Sequence, residues 1–324
     1  MADSMIHSPS TSGSLARSIT WRASRHTYTT IQLLADRDRV VDAFRAYAYF
    51  RWVDDQIDLY RTTEADRLAF VARQADLLDA LYHKAEPERA TPAEQMLIEL
   101  IRKDPRADSG LACYLRNMMG VMQLDAGRRG RLITQSELDG YTRSLALAVS
   151  EALHYFIGHG RPAPQTSTRY SAVSAAHITH MLRDTMEDVA AGYYNIPAEA
   201  LATERLAPED VAHPAYRAWV QQRVARARRG FDLGKAYLAQ VSSRRCRLAG
   251  FAYCARFEAV LDAIERNHYD LTALMRQPSA LSSGRAWRRA VAAALPSPLA
   301  RPGAAAPEDA PPSRPPLQRV ERSP

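Results

Sequence analysis

The sequence predicts an all-α protein, and three observations carry that expectation. Between about residues 18 and 277 apolar side chains recur at spacings of three and four, Gly and Pro fall between such stretches, and no alternating run of strand residues occurs. A hydrophobic content of 46% and a charged content of 24% over 324 residues suit a soluble globular chain with ample material for a core. Composition sets the domain limits. A Ser- and Thr-rich N-terminus, 1–17, is expected to be disordered, 18–278 to form one helical domain, and the Pro/Arg/Ala-rich tail, 279–324, to be mostly disordered.

In chain order, helices are expected at 22–34, 37–59, 64–82, 92–102, 109–125, 135–158, 168–191, 208–241 and 246–275. Spacing alone supports the first, third, fourth and fifth. In the second, Val40, Val41, Phe44, Tyr47 and Ala48 form an apolar stripe that ends in a charged cluster. The helix over 135–158 holds the longest apolar run, Ser144 to Gly158. Ser150, Glu151 and His154 interrupt it well short of the roughly 20 residues needed to cross a membrane. In 168–191, Ile178, Met181 and Leu182 again lead into charges. The last two helices carry arginine runs, Arg223 to Arg229 and Arg244 to Arg247, read as exposed faces. Nine of the nineteen prolines then fall in 296–324. Segment 285–295, with Arg285, Trp287, Arg288 and Arg289, is read first as a solvated helix and alternatively as an amphipathic helix making peripheral membrane contact.

Several function classes drop out. Cys113, Cys246 and Cys254 are odd in number and lack metal-ligand spacing, so they are read as packing residues, with no disulfide scaffold or zinc site. The net charge of +7 is spread along helices and tail without an aromatic-interleaved motif, so no nucleic acid partner is expected. A mean hydropathy of −0.35 and an N-terminus without a basic-then-apolar pattern give the expectation of a cytoplasmic protein, with membrane association left as an alternative.

Chemistry concentrates in two acidic clusters, Arg51-Trp-Val-Asp54-Asp55-Gln-Ile-Asp58 and Arg183-Asp184-Thr-Met-Glu187-Asp188. A four-residue spacing stacks Asp54 over Asp58, and Asp184 over Asp188, on one helix face. Like charges so placed repel unless something positive offsets them. Mg2+ binds through one or two carboxylates and completes its shell with water and phosphate oxygens, so two such clusters suit a metal-diphosphate clamp.

Three stretches together resemble the squalene and phytoene synthase family. Tyr47-Ala-Tyr-Phe-Arg51-Trp-Val-Asp54-Asp55-Gln-Ile-Asp58 is similar to its Tyr-Ala-x-x-Arg-x-x-Asp-Asp-x-x-Asp signature. Met181-Leu-Arg183-Asp184-Thr-Met-Glu187-Asp188 is similar to its Ile-Leu-Arg-Asp-x-x-Glu-Asp motif, and the helix led by Tyr141 lies between them. The resemblance covers roughly 18–275. It implies an all-α isoprenoid synthase fold around a central cavity and a Mg2+-dependent prenyltransferase, with Mn2+ as the substitute ion, acting on a C10–C20 isoprenyl diphosphate. It also implies that Asp54, Asp58, Asp184 and Asp188 are metal ligands, supported by Asp55 and Glu187, and that Arg51 and Arg183 contact diphosphate. Tyr141 would sit near the leaving group, Ala146 and Val149 would line the substrate channel, and Arg25 and His26 stand where the family has a diphosphate-binding Ser-Lys or Ser-Arg.

The chain also departs from that pattern. His177 and His180 replace the Gln and Asn upstream of Arg-Asp, and Gly192-Tyr193-Tyr194-Asn195-Ile196-Pro197 replaces Gly-Arg-x-Tyr-x-Pro. Imidazole is a softer donor than Mg2+ prefers. His177 and His180 are therefore read first as packed or hydrogen-bonded cavity residues, with metal ligation and proton acceptance as alternatives, and Tyr193 is read first as core packing, with a catalytic role through an aromatic face that stabilises a cation as its alternative. Three functions follow in order: head-to-head condensation to a squalene- or phytoene-type product, prenyl transfer to an aromatic acceptor, and a noncatalytic interaction protein. Donor length, acceptor, oligomeric state and use of NADPH are left open; no dinucleotide fingerprint is present.

Overall fold

Capping residues written into the sequence start several helices. Ser24, Thr63, Ser109, Thr134 and Ser243 each accept a backbone N–H with the side-chain oxygen, and Thr134 with Glu137 completes a reciprocal capping box. The computed structural model describes residues 11–85 and 87–276. Its helices are α1 (Thr11–Ala23), α2 (Arg25–Leu34), α3 (Val40–Asp55), α4 (Glu64–Tyr82), α5 (Glu94–Lys103) and α6 (Gly110–Arg128). They continue as α7 (Gln135–Ile157), α8 (Ser171–Ala191), α9 (Ala198–Glu204), α10 (Pro214–Gln240) and α11 (Arg244–Arg266). A π turn, Gln56–Tyr60, extends α3, and a 3-10 turn covers Leu271–Arg276. Among the described residues there is no strand, only one bridge between Ile133 and Pro197.

The all-α expectation holds, with local corrections. A helix occupies Thr11–Ala23, ahead of the first expected one. The helix expected at 22–34 breaks at Ser24, whose extended backbone (φ −158°) caps α2. Between 37 and 59 the helix starts only at Val40 and widens at Gln56. The segment 208–241 starts at Pro214, which fits the first helical turn because it has no N–H to leave unpaired. The last helix ends at Arg266, where His268 (φ 52°) and Tyr269 (φ 62°) turn the chain. The tail, segment 285–295 and residues 1–10 lie outside the described residues.

The core is one contiguous cluster. Phe44, Tyr49 and Val53 of α3, Leu97 and Leu100 of α5, and Leu111 and Leu115 of α6 are all fully buried in it. Each large apolar side chain so enclosed contributes about 1.5–3 kcal/mol. α8 packs against α7, α10 and α11. Its approach to α10 depends on glycine: a Cβ on Gly234 would stand 2.5 Å from the Cβ of Ala172. Cys246 and Cys254 are buried and Cys113 half-buried, all as free thiols, which agrees with a packing role. No described helix is long and apolar enough to cross a membrane.

Candidate active site

α3 and α8 each carry their acids at the C-terminal end, where backbone carbonyls already concentrate negative charge. Gly192 closes α8 in the left-handed conformation (φ 85°), a geometry that spares glycine the strain of a Cβ. The chain then runs parallel to the loop before α7, tied by Gly130 N–H to Gly192 O (2.7 Å) and Ala198 N–H to Ile133 O (2.8 Å). That pairing brings Tyr193 and Asn195 to the ends of both acidic helices.

Together these elements enclose a cavity of about 270 Å3. Asp54 and Asp58 form one wall and Asp184 and Asp188 another. Tyr141, His177, His180, Met181, Tyr193 and Asn195 complete it with two residues that the sequence reading missed, Asp125 and Arg128. Arg128 donates to Asp125 (2.6 Å) and to the Asn195 side-chain oxygen Oδ1 (2.9 Å), and its guanidinium lies 5.2 Å from the Tyr141 ring and 5.0 Å from the Tyr193 ring. Tyr141 donates to Asp125 (3.0 Å), Tyr193 to Asp58 (2.8 Å) and Asn195 to Asp188 (2.6 Å).

Negative charge in the cavity is incompletely balanced. Burial first, and the Asp58 charge second, lift the Asp54 carboxyl to about 7 against the pull of Arg51. Burial and Asp184 lift Asp188 to about 6. Asp184 goes the other way: burial opposes its charge, yet a bidentate grip from Arg183 (2.5 and 2.7 Å) and His180 Nε2 at 2.8 Å holds it well below the usual range. Carboxyls this poorly compensated suit a hard cation, and Asp54, Asp58, Asp184 and Asp188 are the residues that could hold one. Among the described residues no three His, Cys, Asp or Glu side chains form a ready-made cation cage. A cation here would draw part of its shell from water and substrate oxygens.

His177 is a histidine of a different kind. It is 5% exposed, stacks on Tyr141 at 4.9 Å, and both ring nitrogens are buried without a hydrogen-bond partner. Burial, with His180, Arg128 and Arg223 nearby, lowers its pKa to about 3, so the ring is neutral. The packed reading holds for it; the hydrogen-bonded one does not.

Other candidates lie elsewhere. Arg51 pairs with Asp54 (2.9 Å) and with Asp55, neither Arg51 nor Asp55 lines the cavity, and Glu187 is exposed. Ala146 lines a separate outer groove, and Val149, half-buried on α7, is also absent from the acidic cavity. Arg25 is exposed, its guanidinium 5.2 Å from the Trp21 ring. His26 belongs to a basic flank that includes Arg256, another residue the sequence reading missed: partial burial and Arg256 lower the pKa of His26, and burial and Arg183 lower that of Arg256. The arginine runs are not uniformly exposed faces, since Arg223 is buried and Arg228 is held by Asp262 and Glu265 at 2.6 Å.

Residues 21–291 match the family model for squalene/phytoene synthase. A chloroplastic phytoene synthase of Daucus carota is 33% identical over 113 residues, which is 32% of this chain and 28% of the carrot protein. A squalene synthase, HpnC, of Alicyclobacillus acidocaldarius superposes with a TM-score of 0.63 at 21% identity, over 80% of this chain and 95% of that one. A dehydrosqualene synthase solved with a ligand superposes at 0.66 and 16% identity, over 87% and 95%. Similarity at these identities speaks for the fold.

Proposed function

The chain belongs to the squalene/phytoene synthase family, and from that premise we propose that it is a prenyltransferase that joins two isoprenyl diphosphates head to head to a squalene- or phytoene-type hydrocarbon. The observation that carries this reading is the cavity itself, where the Asp54/Asp58 wall and the Asp184/Asp188 wall line one space together with Arg128.

Bound at the facing carboxylates, Mg2+ would supply Lewis-acid stabilisation of a departing diphosphate. The protein's own groups do the rest. Arg128 lines the cavity and places positive charge where that leaving group gathers negative charge, and Asp125, which accepts from the Tyr141 hydroxyl, fixes that ring in the cavity wall. Donor length is a matter for experiment, within C10–C20.

One observation favours a second reading, transfer to an aromatic acceptor. The unprotonated ring nitrogen of His177, which has no partner, can accept a proton from an acceptor's O–H or N–H, and a diphosphate's negative charge nearby would raise its low basicity. Incubation of the purified protein with Mg2+ and labelled geranyl, farnesyl or geranylgeranyl diphosphate separates the two. A hydrocarbon of twice the donor's carbon number supports the first; product only with an added phenol or indole rejects it in favour of the second.

A further inference from the structure

A groove on the outer side of the bundle carries positive charge that the acidic cavity does not use. It runs over α8 between α7 and α10 in two lobes, of about 460 and 190 Å3, that share Tyr170, Ser174, Ile178 and Arg226. Ala146, Leu147 and Ile178 give it an apolar floor, and Arg143 and Arg226 line it with one carboxylate, Asp139. The larger lobe is the size of a small organic ligand's site.

Charge in the groove is unbalanced. Arg143 has no hydrogen bond or ion pair among the described residues, and Arg226 has one long contact, 3.5 Å to Asp139, between two exposed side chains. One turn earlier on α10, Arg223 is only 9% exposed and has neither hydrogen bond nor ion pair, its guanidinium lying 5.7 Å from the Trp219 ring. Burial, with Arg226 next, pushes its pKa down to about 10 while Asp139 pulls the other way. Arg143 and Arg226 thus offer their guanidinium groups to the groove with a single weak carboxylate contact between them, and an anion there would complete their pairing.

We propose that this groove binds a single-tailed anionic amphiphile, its phosphate held by Arg143 and Arg226 and its hydrocarbon chain lying along Ala146, Leu147 and Ile178. Guanidinium forks donate paired hydrogen bonds to phosphate oxygens, and the floor offers a chain of the right polarity. The proposal is independent of the catalytic reading. It does place a ligand one helix from the cavity, because α8 presents Ser174 and Ile178 to the groove and His177 and Met181 to the acids.

The test is titration calorimetry on the full chain with dodecyl phosphate below its micellar concentration. One saturable site is expected, weakened about tenfold in Arg143→Glu and in Arg226→Glu, both exposed positions where folding is not at stake. Asp54→Asn should leave it unchanged, which separates the groove from the cavity. Inorganic phosphate and the neutral dodecyl maltoside should bind about tenfold more weakly or worse. Co-sedimentation with phosphatidylglycerol vesicles, lost in Arg226→Glu, assigns the headgroup to a membrane lipid; dodecyl phosphate binding without vesicle binding assigns it to a free amphiphile. No saturable binding, binding untouched by both arginine variants, or equal affinity for inorganic phosphate overturns the proposal.

Discussion

The Tyr193 hydroxyl donates to Asp58 at 2.8 Å, joining residues 135 positions apart and tying the loop after α8 to the acidic end of α3. The bond holds one oxygen of Asp58 and leaves the rest of the carboxylate for a cation. Tyr193→Phe should therefore lower kcat/KM about tenfold without abolishing turnover, the effect of losing one hydrogen bond to a charged group. Steady-state kinetics at saturating Mg2+ check this, and wild-type values would show that the tether is dispensable.

Asp54 carries a stability penalty at neutral pH. Its folded carboxyl titrates at about 7, above its ordinary 3.8, so the folded state holds this proton more tightly than the unfolded chain and stability falls as pH rises from about 4 to 7. Asp54→Asn removes that term. In metal-free buffer its Tm should exceed the wild type's at pH 7.5 by a few degrees, about 1–2 kcal/mol after solvent screening. The gap should close at pH 4 and narrow when Mg2+ is added. A Tm below that of the wild type at pH 7.5 contradicts the charge argument.

His154 sets an acid limit of opposite sign. Burial, with Arg169 beside it, lowers its pKa from 6.5 to about 4, and its Nε2 lies 2.8 Å from the Tyr237 hydroxyl. The unfolded chain takes up this proton more readily, so the contribution is fully present above 6.5 and is lost as pH falls towards 4. His154→Gln should flatten the decline of Tm between pH 6.5 and 4.5. Parallel curves for variant and wild type would argue against it.

Gly234→Ala should overpack the α8–α10 contact against Ala172 and destabilise the fold by about 1–3 kcal/mol. Activity per folded molecule should be unchanged, because Gly234 lies away from the cavity lining. Chemical denaturation beside active-site titration measures both.

What the sequence disclosed follows from range. Paired acids four residues apart are a local signal, so the walls Asp54/Asp58 and Asp184/Asp188 were legible, as were the long helices. Asp125 and Arg128, three residues apart on α6, look like any surface ion pair until the loop before α7 meets the loop after α8. Arg223 was hidden for a related reason: an arginine within a charged stretch reads as solvated, and only helix packing turns it inward. α1 was masked by its Ser and Thr content, and α9, seven residues long, is too short to show a period. Ala146 sits on the right helix and faces another groove, a rotation that spacing alone does not fix.

The central claim, that the facing carboxylates support departure of an allylic diphosphate, meets its most direct test in pyrophosphate release. Labelled farnesyl diphosphate is supplied across a Mg2+ titration to the wild type, Asp54→Ala and Asp184→Ala, with folding verified by circular dichroism. The account predicts Mg2+-dependent pyrophosphate release by the wild type and none by either variant. Release that persists in a folded Asp54→Ala or Asp184→Ala protein, or that is indifferent to Mg2+, contradicts it.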